Sequence, residues 1–271
     1  MFEALMFLTG LLIGSFLNVC IYRLPRDLSV VRPRSHCPHC GRMVAWYDNI
    51  PVVSWILLRG QCRHCLASIS WRYAAVELAT GLAFLLSAIA LGPTIAAAKY
   101  AIFSAIIIGL IVTDLQERIL PDELTLGGTI AGLAFSPFVA SEPGILALFF
   151  WNKLSPHWIR FVDAAFAAAV SSGLIWVLPW LYQKVRHREG GWMGLGDVKM
   201  MAMIGAFLGL RGSLFTMFLG GLLGSVLGYT YIFLKKKDPS SYELPFGTFL
   251  GAAALAVAVW GEGMVTAAGL K

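Results

Sequence analysis

The chain has 271 residues, of which 58% are apolar and only 13% charged, with a net charge of +6. A soluble globular domain carries about 25% charged residues, so this composition excludes that class and indicates a polytopic membrane protein. The basic excess needs no nucleic acid to explain it, because lysine and arginine gather in the cytoplasmic loops of membrane proteins.

Apolar runs long enough to cross about 30 Å of hydrocarbon, roughly 17 to 25 residues each, predict eight spans. They fall at 4–22, 74–92, 96–113, 124–149, 159–181, 198–211, 213–234 and 246–268, the sixth being short and rich in glycine. The first run lacks a basic lead-in and continues through Gly14-Ser15-Phe16-Leu17-Asn18, which predicts a retained helix and not a cleaved signal. The expected fold is therefore an all-α multi-pass membrane protein divided into a first helix (1–22), a polar domain (23–73) and a seven-helix membrane domain (74–271).

Placing 23–73 in the cytoplasm collects Arg23, Arg26, Arg32, Arg34, Arg42, Arg59, Arg63, Arg72, Arg118, Lys184, Arg186, Arg188, Lys199 and Lys235 to Lys237 on that side. Lys99, Lys153, Arg160, Arg211 and Lys271 remain on the other, so both termini are expected outside. Trp46, Trp55, Trp71, Trp151 and Trp158 read as residues of the interfacial belt, and Lys235 to Lys237 as an anchor of the seventh span.

The polar segment holds Cys37-Pro38-His39-Cys40-Gly41 and Cys62-Arg63-His64-Cys65. Two CxxC pairs at this separation have zinc-ribbon spacing, each pair offering two thiolates from one tight turn to a tetrahedral ion. A metal also suits a segment too short to bury much core of its own. Four unrelated cytosolic thiols are the alternative, disfavoured by Pro38 and Gly41, which a knuckle turn requires. His36, His39 and His64 are possible substitute ligands ranked below the thiolates, and Cys20 reads as a packing residue of the first span.

Two carboxylates close apolar runs. Asp114 ends Ile106-Ile107-Ile108-Gly109-Leu110-Ile111-Val112-Thr113, and Asp197 opens a charge-poor helix after Gly194-Leu195-Gly196. The orientation above brings both to the cytoplasmic ends of their spans, where two carboxyls sharing a proton would form an aspartyl protease dyad. Glu77 pairs with Arg72 or helps line the site, Asp122 is expected to be solvated, and Asp163 lies too near the outer face to join a dyad. The rival reading is a proton-coupled transporter, since intramembrane carboxylates also mark proton relays, although relay sites lie near the midplane and accompany internal repeats. A zinc-anchored scaffold would leave both aspartates idle.

Taken together, Gly14 to Val19 with Tyr22-Arg23-Leu24-Pro25, the CxxC pairs flanking Trp46-Tyr47-Asp48-Asn49-Ile50-Pro51, Asp114 with Leu120-Pro121-Asp122, Gly194 to Lys199, and Pro245-Phe246-Gly247 resemble the type IV prepilin peptidases. The resemblance implies a bifunctional inner-membrane enzyme with Asp114 and Asp197 as its aspartyl pair. Such an enzyme removes the basic leader of type IV prepilins and type II secretion pseudopilins, then methylates the new amino terminus with S-adenosylmethionine. The resemblance further associates Cys37, Cys40, Cys62 and Cys65 with zinc and with methylation. Acidic Glu117, Asp122 and Glu123, near Asp114, are expected to attract the basic leader. No glycine-rich strand-turn-helix appears, so a conventional nucleotide fold for the methyl donor is absent and its residues stay unassigned.

Overall fold

The computed structural model describes residues 1–139, 155–186, 194–234 and 244–260. Lys235 to Lys237, Trp151 and the ends of the predicted fourth and eighth spans lie outside them. The described residues form helices α1 (Phe2–Arg23), α2 (Val53–Leu57), α3 (Arg72–Leu91), α4 (Ile95–Glu117), α5 (Asp122–Phe135), α6 (Pro156–Arg186), α7 (Leu195–Leu234) and α8 (Phe246–Trp260). Among the described residues, five apolar stretches are long enough to cross a membrane: Phe2–Arg26, Arg72–Leu91, Ile95–Glu117, Pro156–Tyr182 and Leu195–Gly228, with Phe246–Trp260 apolar but shorter. The chain forms two compact units, Met1–Gly109 and Leu110–Lys271, and the division falls within α4.

In the first unit α1 lies along α3. A Cβ on Gly14 would fall 2.7 Å from the Cα of Glu77, and one on Gly10 would fall 2.8 Å from the Cβ of Phe84. Glycines four apart therefore let the two backbones touch, the close packing that membrane helices use where hydrophobic burial gives no drive. Phe84, Ala101 and Ala105 form a buried cluster with Met6 and Ile13 against it.

The polar segment between α1 and α3 folds as two matching knuckles. The N–H of Cys37 donates to the Arg42 carbonyl and that of Gly41 to the Cys37 carbonyl. In the second, Cys62 donates to Ala67 and Leu66 to Cys62, all at 2.9 to 3.0 Å. Isolated antiparallel bridges close each turn, His36 with Met43 and Gln61 with Ser68. Both turns need a left-handed residue after the second cysteine. Gly41 supplies it at φ 69°, and Leu66, without that freedom, adopts φ 58°.

In the second unit, α7 packs against α5, α6 and α8. Ser171 on α6 donates to the Met201 carbonyl at 3.0 Å, tying those helices together. A 40-residue helix would rise about 60 Å, twice the hydrocarbon thickness, and α7 is broken at Gly209, with φ 71° and ψ −177°. A Cβ on Gly220 would meet Leu250, while Met200 lies against Gly251. An unbroken helix would separate positions 200 and 220 by roughly 30 Å. Both reach adjacent residues of α8, so the chain folds back at Gly209, two residues before the end of the predicted sixth span. That backbone geometry is open in practice to glycine alone.

Candidate active site

Asp114 and Asp197 both belong to the second unit. Asp114 lies in the last turn of α4 and is 6% exposed. Its Oδ2 accepts two hydrogen bonds from Thr248 in the first turn of α8, one from the backbone N–H at 2.6 Å and one from the hydroxyl at 2.8 Å. N–H groups in the first turn of a helix favour anions, and that of Thr248, which also reaches the Pro245 carbonyl at 3.2 Å, is presented to the carboxylate. Gly247 is needed for the approach, since a Cβ there would lie 3.2 Å from the Asp114 carboxyl carbon.

Asp197 is half-buried in the first turn of α7, with its N–H bonded to the Gly194 carbonyl at 3.0 Å. Leu120 links the two aspartates' surroundings, since its side chain lies against Gly196, next to Asp197, and against Gly247, which touches the Asp114 carboxyl. The two glycines before Asp197 differ in what they meet. A Cβ on Gly196 would lie 3.0 Å from that of Leu120, whereas the nearest atom to one on Gly194 is Asp197 Oδ2 at 3.5 Å. Leu120 also reaches Gly247, so one side chain spaces the starts of α7 and α8.

The loop from α4 to α5 turns at Arg118, φ 57°, and Pro121 precedes the first turn of α5, where the Thr125 hydroxyl bonds its carbonyl at 3.1 Å. Asp122 is exposed, as expected, and is in addition paired with Lys199, whose Nζ lies 2.6 and 2.8 Å from the two carboxyl oxygens. This pair fastens the start of α5 to the start of α7. Lys199 stands out in the sequence only as a cytoplasmic cation and as the end of the Gly194 to Lys199 motif, and Thr248 not at all. The only signal near Thr248 was its place directly after Pro245-Phe246-Gly247.

The first unit contains the four cysteines. All four Sγ atoms lie within 4.8 Å of one another, and Cys37 Sγ is 3.7 Å from Cys65 Sγ. A tetrahedral ion with metal–sulfur bonds of about 2.3 Å separates its sulfurs by about 3.8 Å, so the thiols are spaced to hold a metal. The histidines stay out of the cluster: His64 meets the Arg42 guanidinium at 3.1 Å, and His36 meets the Arg34 carbonyl. Backbone N–H groups of Cys65 and His64 pull the Cys62 thiol down to about 6. For Cys65 the Ala67 N–H favours the thiolate, but burial and contacts with Cys37, Cys62 and Cys40 push it up to about 11. Arg63 grips Asp48 with Nε and Nη2 and holds that carboxyl below its usual range.

Glu77 is held by the backbone and not by Arg72. Its Oε2 accepts the Val52 N–H at 2.7 Å, fixing the strained residue, φ 62°, that starts α2. Trp55 is tied into the loop, its Nε1 donating to the Ile69 carbonyl at 3.1 Å. Cys20 is buried, as packing requires.

Residues 8–91 match the family description "Bacterial Peptidase A24 N-terminal domain", and residues 100–229 match "Type IV leader peptidase family". A prepilin leader peptidase/N-methyltransferase from Aeromonas hydrophila is 32% identical over 97% of this chain and 92% of its own length. The protein of that name from Stutzerimonas stutzeri is 33% identical over 97% and 91%. The Myxococcus xanthus protein is 39% identical over 84% of this chain, and the aligned part spans 62% of the Myxococcus protein. No solved structure matches. A helical membrane enzyme of the peptidase class is thereby defined. The chain belongs to the type IV leader peptidase family. Nothing in these matches supports the transporter reading.

Proposed function

We propose that the chain is an aspartyl endopeptidase of the inner membrane that cuts the basic leader from type IV prepilins and type II secretion pseudopilins. We propose also that it methylates the new amino terminus. The observation that carries the first activity is that Asp114, at the end of α4 and held by Thr248, and Asp197, at the start of α7, are both brought to the start of α8 by way of Leu120, Gly196 and Gly247.

Two adjacent carboxyls cannot both ionise cheaply, so one is a carboxylate and the other a carboxylic acid. The carboxylate takes a proton from water as that water attacks the scissile carbonyl, and the acid protonates the carbonyl oxygen. Asp114 Oδ2 is committed to Thr248, leaving Oδ1 as the oxygen able to meet the water. The lysine and arginine distribution supports both termini on the periplasmic side and this chemistry at the cytoplasmic face, where a basic leader would lie.

The spacing of Cys37, Cys40, Cys62 and Cys65 suits Zn2+, which would tie the two knuckles into one small domain. S-adenosylmethionine, when bound, supplies the methyl group.

Incubation of the purified protein with a prepilin and mass measurement of the product tests both activities. Loss of the leader and gain of one methyl group are expected. Wild-type cleavage by a correctly inserted Asp197→Asn protein would overturn the assignment of the dyad.

A further inference from the structure

Between the two knuckles the chain passes through a turn, Trp46–Asn49, and the five-residue α2. Buried Ser54 ties the two together: its hydroxyl donates to the Tyr47 carbonyl at 2.9 Å and accepts the Ile50 N–H at 3.0 Å. Trp55 turns into the domain, toward Ile69. The rest of α2 faces outward. Val53, Ile56 and Leu57, spaced as neighbours on one helix face, are 48%, 62% and 76% exposed, and Trp46, in the turn packed on α2, is 75% exposed. An apolar face of this kind marks a contact with protein or membrane.

The height of the segment decides between them. The Val52 N–H donates to Glu77, five residues inside α3, and a Cβ on Gly14, nine residues before the end of α1, would lie 2.7 Å from the Glu77 Cα. At 1.5 Å per residue, Glu77 lies about 7 Å below the start of α3 and about 13 Å below the end of α1. Its side chain leans back toward the start of α3, which leaves Val52, and α2 directly after it, level with the first two turns of that helix. The segment therefore does not stand clear of the membrane. Leu78, next after Glu77, opens the exposed stripe Leu78, Leu82 and Leu86 of α3, the surface that lipid covers. Val52 keeps this height at φ 62°, an outlier for a β-branched residue, through its bond to Glu77. Charge suits the same partner, since residues 23–73 contain eight arginines against two aspartates, with Arg59 exposed just after α2 and Arg72 at the start of α3.

We infer that Trp46–Leu57 is a membrane foot, seated through Trp46, Val53, Ile56 and Leu57 in the boundary between headgroups and acyl chains of the bilayer that α1 and α3 cross. Short segments with an apolar face and basic residues around it lie in that layer. Arg63, between Cys62 and Cys65, grips Asp48 inside the same segment, so the foot sets the height of the second knuckle above the bilayer. The inference depends on neither of the proposed activities.

The test uses the full-length protein in nanodiscs of phosphatidylethanolamine and phosphatidylglycerol, with the photoreactive p-benzoylphenylalanine placed at one position at a time and the adducts mapped by mass. Leu66, apolar and as exposed as the foot but on the second knuckle, controls for exposure alone. At least tenfold more phospholipid adduct is expected at Leu57 than at Leu66. In a Val53→Glu, Ile56→Glu double variant with the wild-type unfolding temperature, the lipid adduct at Leu57 should fall at least fivefold. Equal labelling of Leu57 and Leu66, or an unchanged adduct in the folded double variant, overturns the inference. Adducts from Leu57 to another part of the chain or to a second copy would show that protein covers this face, and overturn it too. So would replacement of the lipid adduct by one to an added prepilin, which would make the face a substrate surface.

Discussion

Thr248 gives both its N–H and its hydroxyl to one oxygen of Asp114, across 134 residues of chain. A carboxylate held at a single oxygen keeps a fixed rotamer and turns its other oxygen to the reaction. Removing the hydroxyl alone, in Thr248→Val, should cost about 1.5 to 3 kcal/mol, the worth of a hydrogen bond to a charged group. This corresponds to roughly a 10- to 100-fold loss in kcat. KM should barely move, and Thr248→Ser should restore most of the rate. Equal rates for the Val and Ser proteins would show that the hydroxyl does not position Asp114.

The Lys199–Asp122 pair alters what the acidic loop can do for a basic leader. Asp122 is already matched by a cation, so the attraction proposed for the acidic loop falls to Glu117 and, more exposed, Glu123. Glu123→Lys should raise KM several-fold with little change in kcat. Asp122→Lys should do more harm than its lost attraction explains, because it places two cations together, and the exchange Asp122→Lys with Lys199→Asp should recover part of it. Steady-state kinetics on a prepilin peptide distinguish these outcomes, and a fall in kcat alone for Glu123→Lys would assign that residue to the chemistry.

The thiolate cluster lies in the first unit and the aspartates in the second. In a segment of this size metal binding is folding energy, so Cys37→Ser or Cys62→Ser should lower zinc content and unfold the knuckles locally. Methylation should fall far more than cleavage, as measured by zinc analysis and both assays on one preparation. Equal loss of the two activities would mean that the knuckles brace the protease site.

Leu66 is 67% exposed and holds a left-handed backbone where its sister knuckle uses Gly41. The strain is about 1 to 2 kcal/mol, offset in part by the greater unfolded-chain entropy of a glycine. Leu66→Gly should therefore stabilise the loop by about 0.5 to 1 kcal/mol, seen as slower zinc loss to a chelator. Faster loss would mean that the Leu66 side chain contributes packing that its exposure does not suggest.

The four-cysteine cluster was legible in the sequence, and the two aspartates stand out in it, because their surroundings are unlike them: thiols paired at knuckle spacing, and carboxylates at the ends of apolar runs. Partners drawn from backbone or from unremarkable residues leave no such mark. Glu77 binds the N–H of Val52, a group every residue but proline carries, and Asp122 meets Lys199 across 77 positions. The fold-back in α7 was read as a division between two spans, but its position turns on the φ of a single glycine among many.

The reversal at Gly209 also limits how far that helix can reach. From Leu195 to the turn the backbone rises about 20 Å, against roughly 30 Å of hydrocarbon. A segment that falls short obliges the surrounding lipid to thin or the water boundary to dip at one of its ends. The end bearing a carboxylate is where that dip costs least. Hydration beside Asp197 would then follow from helix length, and the proposed hydrolytic centre would obtain its water without needing a channel built for the purpose.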